Sequence, residues 1–212
     1  MCGITGFVSA KHDLEEAKKT LKAMADLIAH RGPDGEGFYV DERAALGHRR
    51  LSIIDLEGGS QPMFNEDKTL VTVFNGEIYN FMELRGQLEA AGHVFATHSD
   101  TEVLLHGYEE WGEALPEKLR GMFAFVIWDK ANRTLFGARD IFGIKPFYYY
   151  QNHDLLLFGS EIKSFLPHPG FVKELNEERL PEYLSIEYIP NAETMFKNVY
   201  KLPGASPSRT AS

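Results

Sequence analysis

Gly121-Met122-Phe123-Ala124-Phe125-Val126-Ile127-Trp128-Asp129 holds an apolar run that no polar residue interrupts from 122 to 128. It lacks the alternation of a half-wet strand and is short for a helix, so it reads as a strand buried on both faces. Strand-like runs at 134–139, 147–150 and 155–159 follow at hairpin spacing. On the amino-terminal side, runs at 37–40, 45–54 and 69–75 flank the punctuation Gly58-Gly59-Ser60, and Gly3–Ser9 reads as a short strand. Strands buried on both faces require stacked layers rather than one sheet with a wet face.

Helices interleave with these strands. Asp13 predicts an N-cap, with Glu16 three residues on as a capping box. Leu14, Ala17, Leu21, Met24 and Ile28 then recur at helical spacing and mark a buried face. Gly32-Pro33 ends that helix near His30 and leaves 30–35 as a tight loop. Asn80 predicts the cap of a second helix ending at Gly92, and 94–98 reads as extended. A third helix is expected over 101–111, capped by Ser99 or Asp100. Residues 161–166 suit one or two helical turns. Periodicity weakens after Pro167, and the small, polar stretch 204–212 is expected to be disordered. Helices alternating with blocks of antiparallel strands predict an α+β fold.

The 212-residue chain is ordinary for a soluble globule, 43% apolar and 25% charged. At that length it buries roughly 70% of the surface its unfolded form exposes. A net charge of -9 argues against binding the phosphate backbone of a nucleic acid. No apolar window approaches the ~18 residues of a membrane span, and the first residues lack a signal-peptide pattern. A cytoplasmic location is therefore expected. The single cysteine excludes an intramolecular disulfide and a four-thiolate zinc site. No His or Asp/Glu cluster has metal-ligand spacing, so no metal is expected.

That cysteine stands at position 2. Removal of Met1 would place its thiol and a free α-amino group on one residue. An α-amine titrates at about 7.7–8.0, close enough to neutrality to take a thiol proton and return it to a leaving amine. A lone Cys is also often just a small buried hydrophobe.

The surrounding motifs decide between these readings. Cys2-Gly3-Ile4-x-Gly6, Arg31-Gly32-Pro33-Asp34, Arg50-Leu51-Ser52-Ile53, Asn75-Gly76-Glu77-Ile78-Tyr79-Asn80 and Ser99-Asp100-Thr101-Glu102 occur in that order. Arg139-Asp140-x-x-Gly143-x-Lys145-Pro146-x-Tyr148-Tyr149 and Ser160-Glu161-Ile162-Lys163 continue the series. The ordered set resembles class II glutamine amidotransferases, and most closely the glutaminase half of glutamine-hydrolysing asparagine synthetases. The resemblance runs to about Pro203. It implies a four-layer αββα N-terminal-nucleophile sandwich that hydrolyses L-glutamine to glutamate and ammonia through a Cys2 thioester.

The same resemblance assigns the substrate contacts. Arg50 would take the α-carboxylate, as guanidinium forks do, with Ile53 beside it in the substrate-binding set. Alternation puts Arg49 and Arg50 on opposite strand faces, so only one can face a pocket. Glu77 and Asp100 would hold the α-ammonium, although Asp100 also suits a helix cap. Asn75 and the Gly76 N–H would form an oxyanion hole, although Asn-Gly is equally a turn dipeptide. Arg31 and Asp34 are expected to order the loop beside the nucleophile. His30 and His48 leave a Cys-His pair open, which an α-amine base would make unnecessary.

In the family, a synthetase domain of the ATP-pyrophosphatase type normally follows in the same chain and uses ATP and Mg to activate the acceptor. The Ser-Gly-Gly-x-Asp-Ser loop of that domain does not occur in this sequence, and residues after Lys201-Leu202-Pro203 depart from the family pattern. The expectation is a glutaminase domain over 1–203, without a cofactor of its own. A tail at 204–212 would then follow from truncation or an altered reading. A homodimer is left open. The competing readings are an unprocessed chain that only binds glutamine or a partner, and a hydrolase of another amide.

Overall fold

The computed structural model describes residues 1–51 and 59–204, and the backbone of 208–211. The elements run β1 (Gly3–Ser9), α1 (Leu14–Asp26), β2 (Gly35–Val40), β3 (Ala44–Arg50), β4 (Met63–Phe64), β5 (Leu70–Ile78), α2 (Phe81–Ala91) and α3 (Asp100–Trp111). They continue with α4 (Leu115–Lys118), β6 (Gly121–Asp129), β7 (Thr134–Arg139), β8 (Tyr148–Asn152), β9 (Leu155–Gly159), α5 (Leu180–Ile186), β10 (Val199–Lys201) and β11 (Ser208–Ala211).

The strands form two antiparallel sheets. One has the order β10-β8-β9-β1-β3-β2, the other β11-β7-β6-β5-β4. Side-chain alternation explains why both are buried on two faces. From β5 and β6, Val71, Val73, Ala124, Val126 and Trp128 meet Ile4, Val8, Leu46 and Phe158 of the first sheet, filling the space between the sheets. The intervening residues Phe74, Ile78, Phe123, Phe125 and Ile127 point the other way, onto Leu84 and Leu88 of α2 and Val103 to Leu105 of α3. The outer face of the first sheet, with Phe7, Ala45 and Leu157, packs under Ala17, Leu21 and Met24 of α1. The result is the four-layer αββα sandwich that the family resemblance implied, with the stacked layers that the unbroken apolar run of β6 required. None of the described helices is long and apolar enough to cross a membrane.

Local expectations fared unevenly. Asp13 caps α1, accepting from the backbone N–H of Glu15 and Glu16. The reciprocal capping-box bond from Glu16 is replaced by a Glu16–Lys19 pair at 2.9 Å, and Leu14 lies on the exposed side. Asn80 stands at the N-cap position of α2, as expected, but its side chain makes no capping bond. Its amide instead spans to Lys118 O (3.0 Å) and Arg120 N (2.9 Å), tying α2 to the approach of β6. Residues 94–98 form no strand. The Glu102 carboxylate gathers Ala96 N and Thr97 N, both at 2.7 Å, which satisfies that backbone without a sheet partner. The tail expected to be disordered instead places Ser208–Ala211 as a strand alongside β7, where an open sheet edge offers backbone partners.

Candidate active site

β1 is an internal strand, hydrogen-bonded to β3 on one side and β9 on the other. Its register pairs Gly3 with Arg49, which brings Cys2 to the end of β3 where Arg50 and Leu51 follow. The Leu51 N–H donates to Cys2 Sγ at 3.4 Å, and the Leu51 carbonyl lies 3.7 Å from the same sulfur. Arg31 Nε donates to the Cys2 carbonyl at 3.1 Å, while its Nη1 reaches Glu161 Oε1 at 3.0 Å. Glu161 also binds His30 at 2.8 Å and Lys163 at 3.1 Å. Burial works against the Glu161 charge, but the bonds from Arg31, Lys163 and His30 hold its pKa below the usual carboxylate value. Loop 30–34 and the segment after β9 thus fix the backbone that presents the thiol. A Cβ on Gly32 would stand 2.4 Å from the Arg49 carbonyl, so the loop closes on β3 only with glycine there.

The facing wall comes from β5. Asn75 and Gly76 do not turn the chain. They sit mid-strand, opposite Ala124 and Phe123 of β6. Asn75 is only 1% exposed, and its amide nitrogen has no hydrogen-bond partner among the described residues. An orphaned buried donor costs about 1–3 kcal/mol, which a site retains when function needs that donor. A Cβ on Gly76 would meet the Met122 carbonyl at 2.3 Å. Ser99, not Asp100, caps α3. Asp100 turns its carboxylate to the strand and accepts the Ile78 N–H at 3.0 Å. Burial raises its pKa, and the nearby Glu77 charge raises it further.

The arginine pair resolves by alternation. Arg49 points to α1, where it bonds Ala25 O at 3.1 Å and Asp26, and it pairs with Glu36 of the neighbouring β2 at 2.5 Å. Arg50 lines a cavity of about 210 Å³ together with Cys2, Asn75, Gly76, Glu77 and Asp100. Six of the seven residues singled out in the sequence therefore meet at one cavity. The seventh, Ile53, lies outside the described residues.

The wall also contains His48, which the sequence left open as a partner of the thiol, and Gln61 and Lys145, to which the sequence reading gave no role. His48 is 1% exposed and shares a hydrogen bond with the Phe74 carbonyl at 3.2 Å. Burial lowers its pKa to about 4 against the pull of that bond, and the Arg50 charge lowers it further. A group so rarely charged at neutral pH is a poor partner for the thiol. Gln61 accepts the Phe74 N–H at 2.6 Å and reaches Thr101 at 3.4 Å, bracing β5 against α3. Lys145 was legible as part of a motif, and the motif proves to be a backbone clamp. Asp140 accepts from the N–H groups of Phe123, Ile144 and Lys145 at 3.2, 2.9 and 3.0 Å. Arg139 binds the carbonyls of Lys145 (2.6 Å) and Leu202 (3.1 Å). Gly143 takes φ +63°, which glycine accepts most readily. The clamp leaves Lys145 Nζ 3.3 Å from Met1 Sδ.

Paired antiparallel sheets between helices, with a thiol at the head of an internal strand, define the N-terminal-nucleophile hydrolase class. The chain belongs to the glutamine amidotransferase family, whose model, described as a glutamine amidotransferase domain, matches residues 1–211. It is 47% identical over 209 residues to asparagine synthetase [glutamine-hydrolyzing] 1 of Bacillus subtilis, covering 97% of this chain and 33% of that protein. Against asparagine synthetase [glutamine-hydrolyzing] 3 of the same organism the identity is 44% over 188 residues, 88% of this chain and 31% of the relative. The chain thus spans about a third of the length of these curated relatives. The glutamine phosphoribosylpyrophosphate amidotransferase of B. subtilis, solved with ADP and GMP, shares the fold with a TM-score of 0.64 at 23% identity. That match covers 82% of this chain and 45% of the other.

Proposed function

We propose that this domain releases ammonia from L-glutamine with Cys2 as nucleophile, after removal of Met1 exposes the Cys2 α-amine. The observation that carries the reading is the buried Asn75 amide donor, left without a partner in the wall of the cavity that Cys2 lines. The α-amine takes the thiol proton, and sulfur attacks the side-chain amide carbon of glutamine. The oxygen becomes an oxyanion held by Asn75 and the Gly76 N–H. The α-ammonium then protonates the amide nitrogen, ammonia departs and a glutamyl thioester remains. Water, deprotonated by the same amine, attacks the thioester and releases glutamate and the thiol. Arg50 pairs with the substrate carboxylate, and the adjacent carboxylates of Glu77 and Asp100 pair with its ammonium. The elevated Asp100 pKa supports this: a carboxyl strained by burial and a like charge gains most from an incoming cation.

In the whole protein the ammonia would pass to an ATP- and Mg-dependent synthetase domain and amidate a carboxylate; the names of the relatives, glutamine-hydrolysing asparagine synthetases, support a synthetase half and go no further. The test begins with intact mass, which reports loss of Met1. Glutamate and ammonia are then measured from the processed protein, and the thioester is trapped by acid quench. Processed protein that releases no glutamate, or Cys2→Ala protein that keeps full activity, overturns the proposal.

A further inference from the structure

A second constellation lies where α3 meets the turn after α2 and the connection between β4 and β5, and it shares no residue with the cavity at Cys2. His93 follows the left-handed Gly92 that ends α2, and His106 and Glu109 stand one turn apart on α3. One donor atom from each lies within 4.8 Å of the others. Glu109 Oε2 is 3.0 Å from His106 Nδ1 and 3.5 Å from His93 Nδ1. Donors around a tetrahedral ion with bonds of ~2.1 Å stand about 3.4 Å apart, so these separations already fit.

Two further contacts orient the donors. Asn65, itself 5% exposed, donates to Glu109 Oε1 at 2.8 Å and leaves Oε2 toward the histidines. His106 is 1% exposed and its Nε2 makes no hydrogen bond. The nearest carboxylate to that nitrogen is Glu102 Oε1 at 3.5 Å, which leaves Nδ1 as the metal-facing atom. Metal-bound histidines usually donate their other ring N–H to a carboxylate; here Glu102 stands at 3.5 Å from that nitrogen without a hydrogen bond. Charge points the same way. Glu66, Glu102, Glu109 and Glu110 all surround the two imidazoles, and no Lys or Arg pairs with any of the four among the described residues.

We propose that His93, His106 and Glu109 form a binding site for a divalent first-row transition-metal ion of nitrogen-and-oxygen preference, such as zinc. Water, or Glu66 at 3.9 Å from His106 Nδ1, would complete the shell. The ion would tie the turn after α2 to α3, the helix whose first residue is Asp100.

The test is calorimetric titration of Cys2→Ala protein with zinc, so that the thiol contributes nothing. Cobalt absorption in the visible region reports the coordination number. One equivalent should bind saturably, at least tenfold more weakly in His93→Ala and in Glu109→Gln. His93 is near the surface, and glutamine keeps the Asn65 bond, so both variants should retain native circular dichroism. The cobalt bands should vanish in both. Absence of uptake at millimolar zinc, or unchanged binding in either variant, overturns the proposal.

Discussion

Replacing Asn75 by alanine should separate catalysis from folding. The Asn75 amide nitrogen is buried without a partner, so alanine breaks no hydrogen bond made by that atom. Removing an unpaired buried donor recovers about 1–3 kcal/mol, which offsets the packing lost with the side chain. The stability of the variant should therefore fall within ~1 kcal/mol of the parent. Catalysis is different, because the donor meets its partner only when the glutamine oxygen becomes an oxyanion. Loss of one such donor costs roughly 2.7–4 kcal/mol, or about 100- to 1000-fold. An interaction made only in the transition state lowers kcat and leaves KM within about threefold. The assay pairs initial rates of glutamate release with urea unfolding of both processed proteins. A kcat within tenfold of the parent would refute the reasoning. So would a loss of activity matched by several kcal/mol of lost stability, since that would make Asn75 a structural residue.

Three more expectations rest on the same geometry. Gly76→Ala sets a methyl 2.3 Å from a backbone carbonyl and 2.7 Å from the Phe123 Cα, so urea unfolding should show a loss of about 1–3 kcal/mol. Arg50→Lys removes the bidentate fork and should raise the KM for glutamine about tenfold to a hundredfold, with a smaller effect on kcat, in steady-state kinetics. His48 titrates at about 4 when folded against 6.5 in its unperturbed state, so the unfolded chain binds more protons between those values. Stability should then decline by about 3 kcal/mol as pH falls from above 6.5 to below 4, and His48→Gln should flatten that part of the urea-unfolding profile.

Much of the fold was legible because two-face burial leaves a mark in one dimension. The run in β6 cannot be satisfied by a single layer and called for stacked layers; their number and order came from the family resemblance. Caps were read less well. Ser, Asp and Asn before a helix all look competent, and their choice depends on remote partners: Ile78 N for Asp100, Lys118 O and Arg120 N for Asn80. Asn75-Gly76 shows the same limit. The dipeptide suits a tight turn, and only the pairing of β5 with the distant β6 keeps it extended. The cavity residues were recovered through motif order, which is how Gln61, outside every quoted motif, went unread and His48 was weighed only as a partner of the thiol. His93, His106 and Glu109 meet because α2 packs on α3, a contact that sequence spacing does not encode.

The internal position of β1 has a consequence for how the molecule is made. Ile4 exchanges bonds with Ser160, donating to its hydroxyl at 3.0 Å and accepting its N–H at 2.9 Å, across a separation of 156 residues. At ribosomal speeds of roughly 5–20 residues per second, the strand carrying Cys2 waits about 8–30 s before β9 and Ser160 have been synthesised. Such long-range pairing also ranks among the slower steps of folding. During this interval the first residues remain outside any finished sheet and within reach of an aminopeptidase. The topology would therefore give the proposed removal of Met1 a head start over closure of the site, so that trimming precedes the locking of the trimmed end.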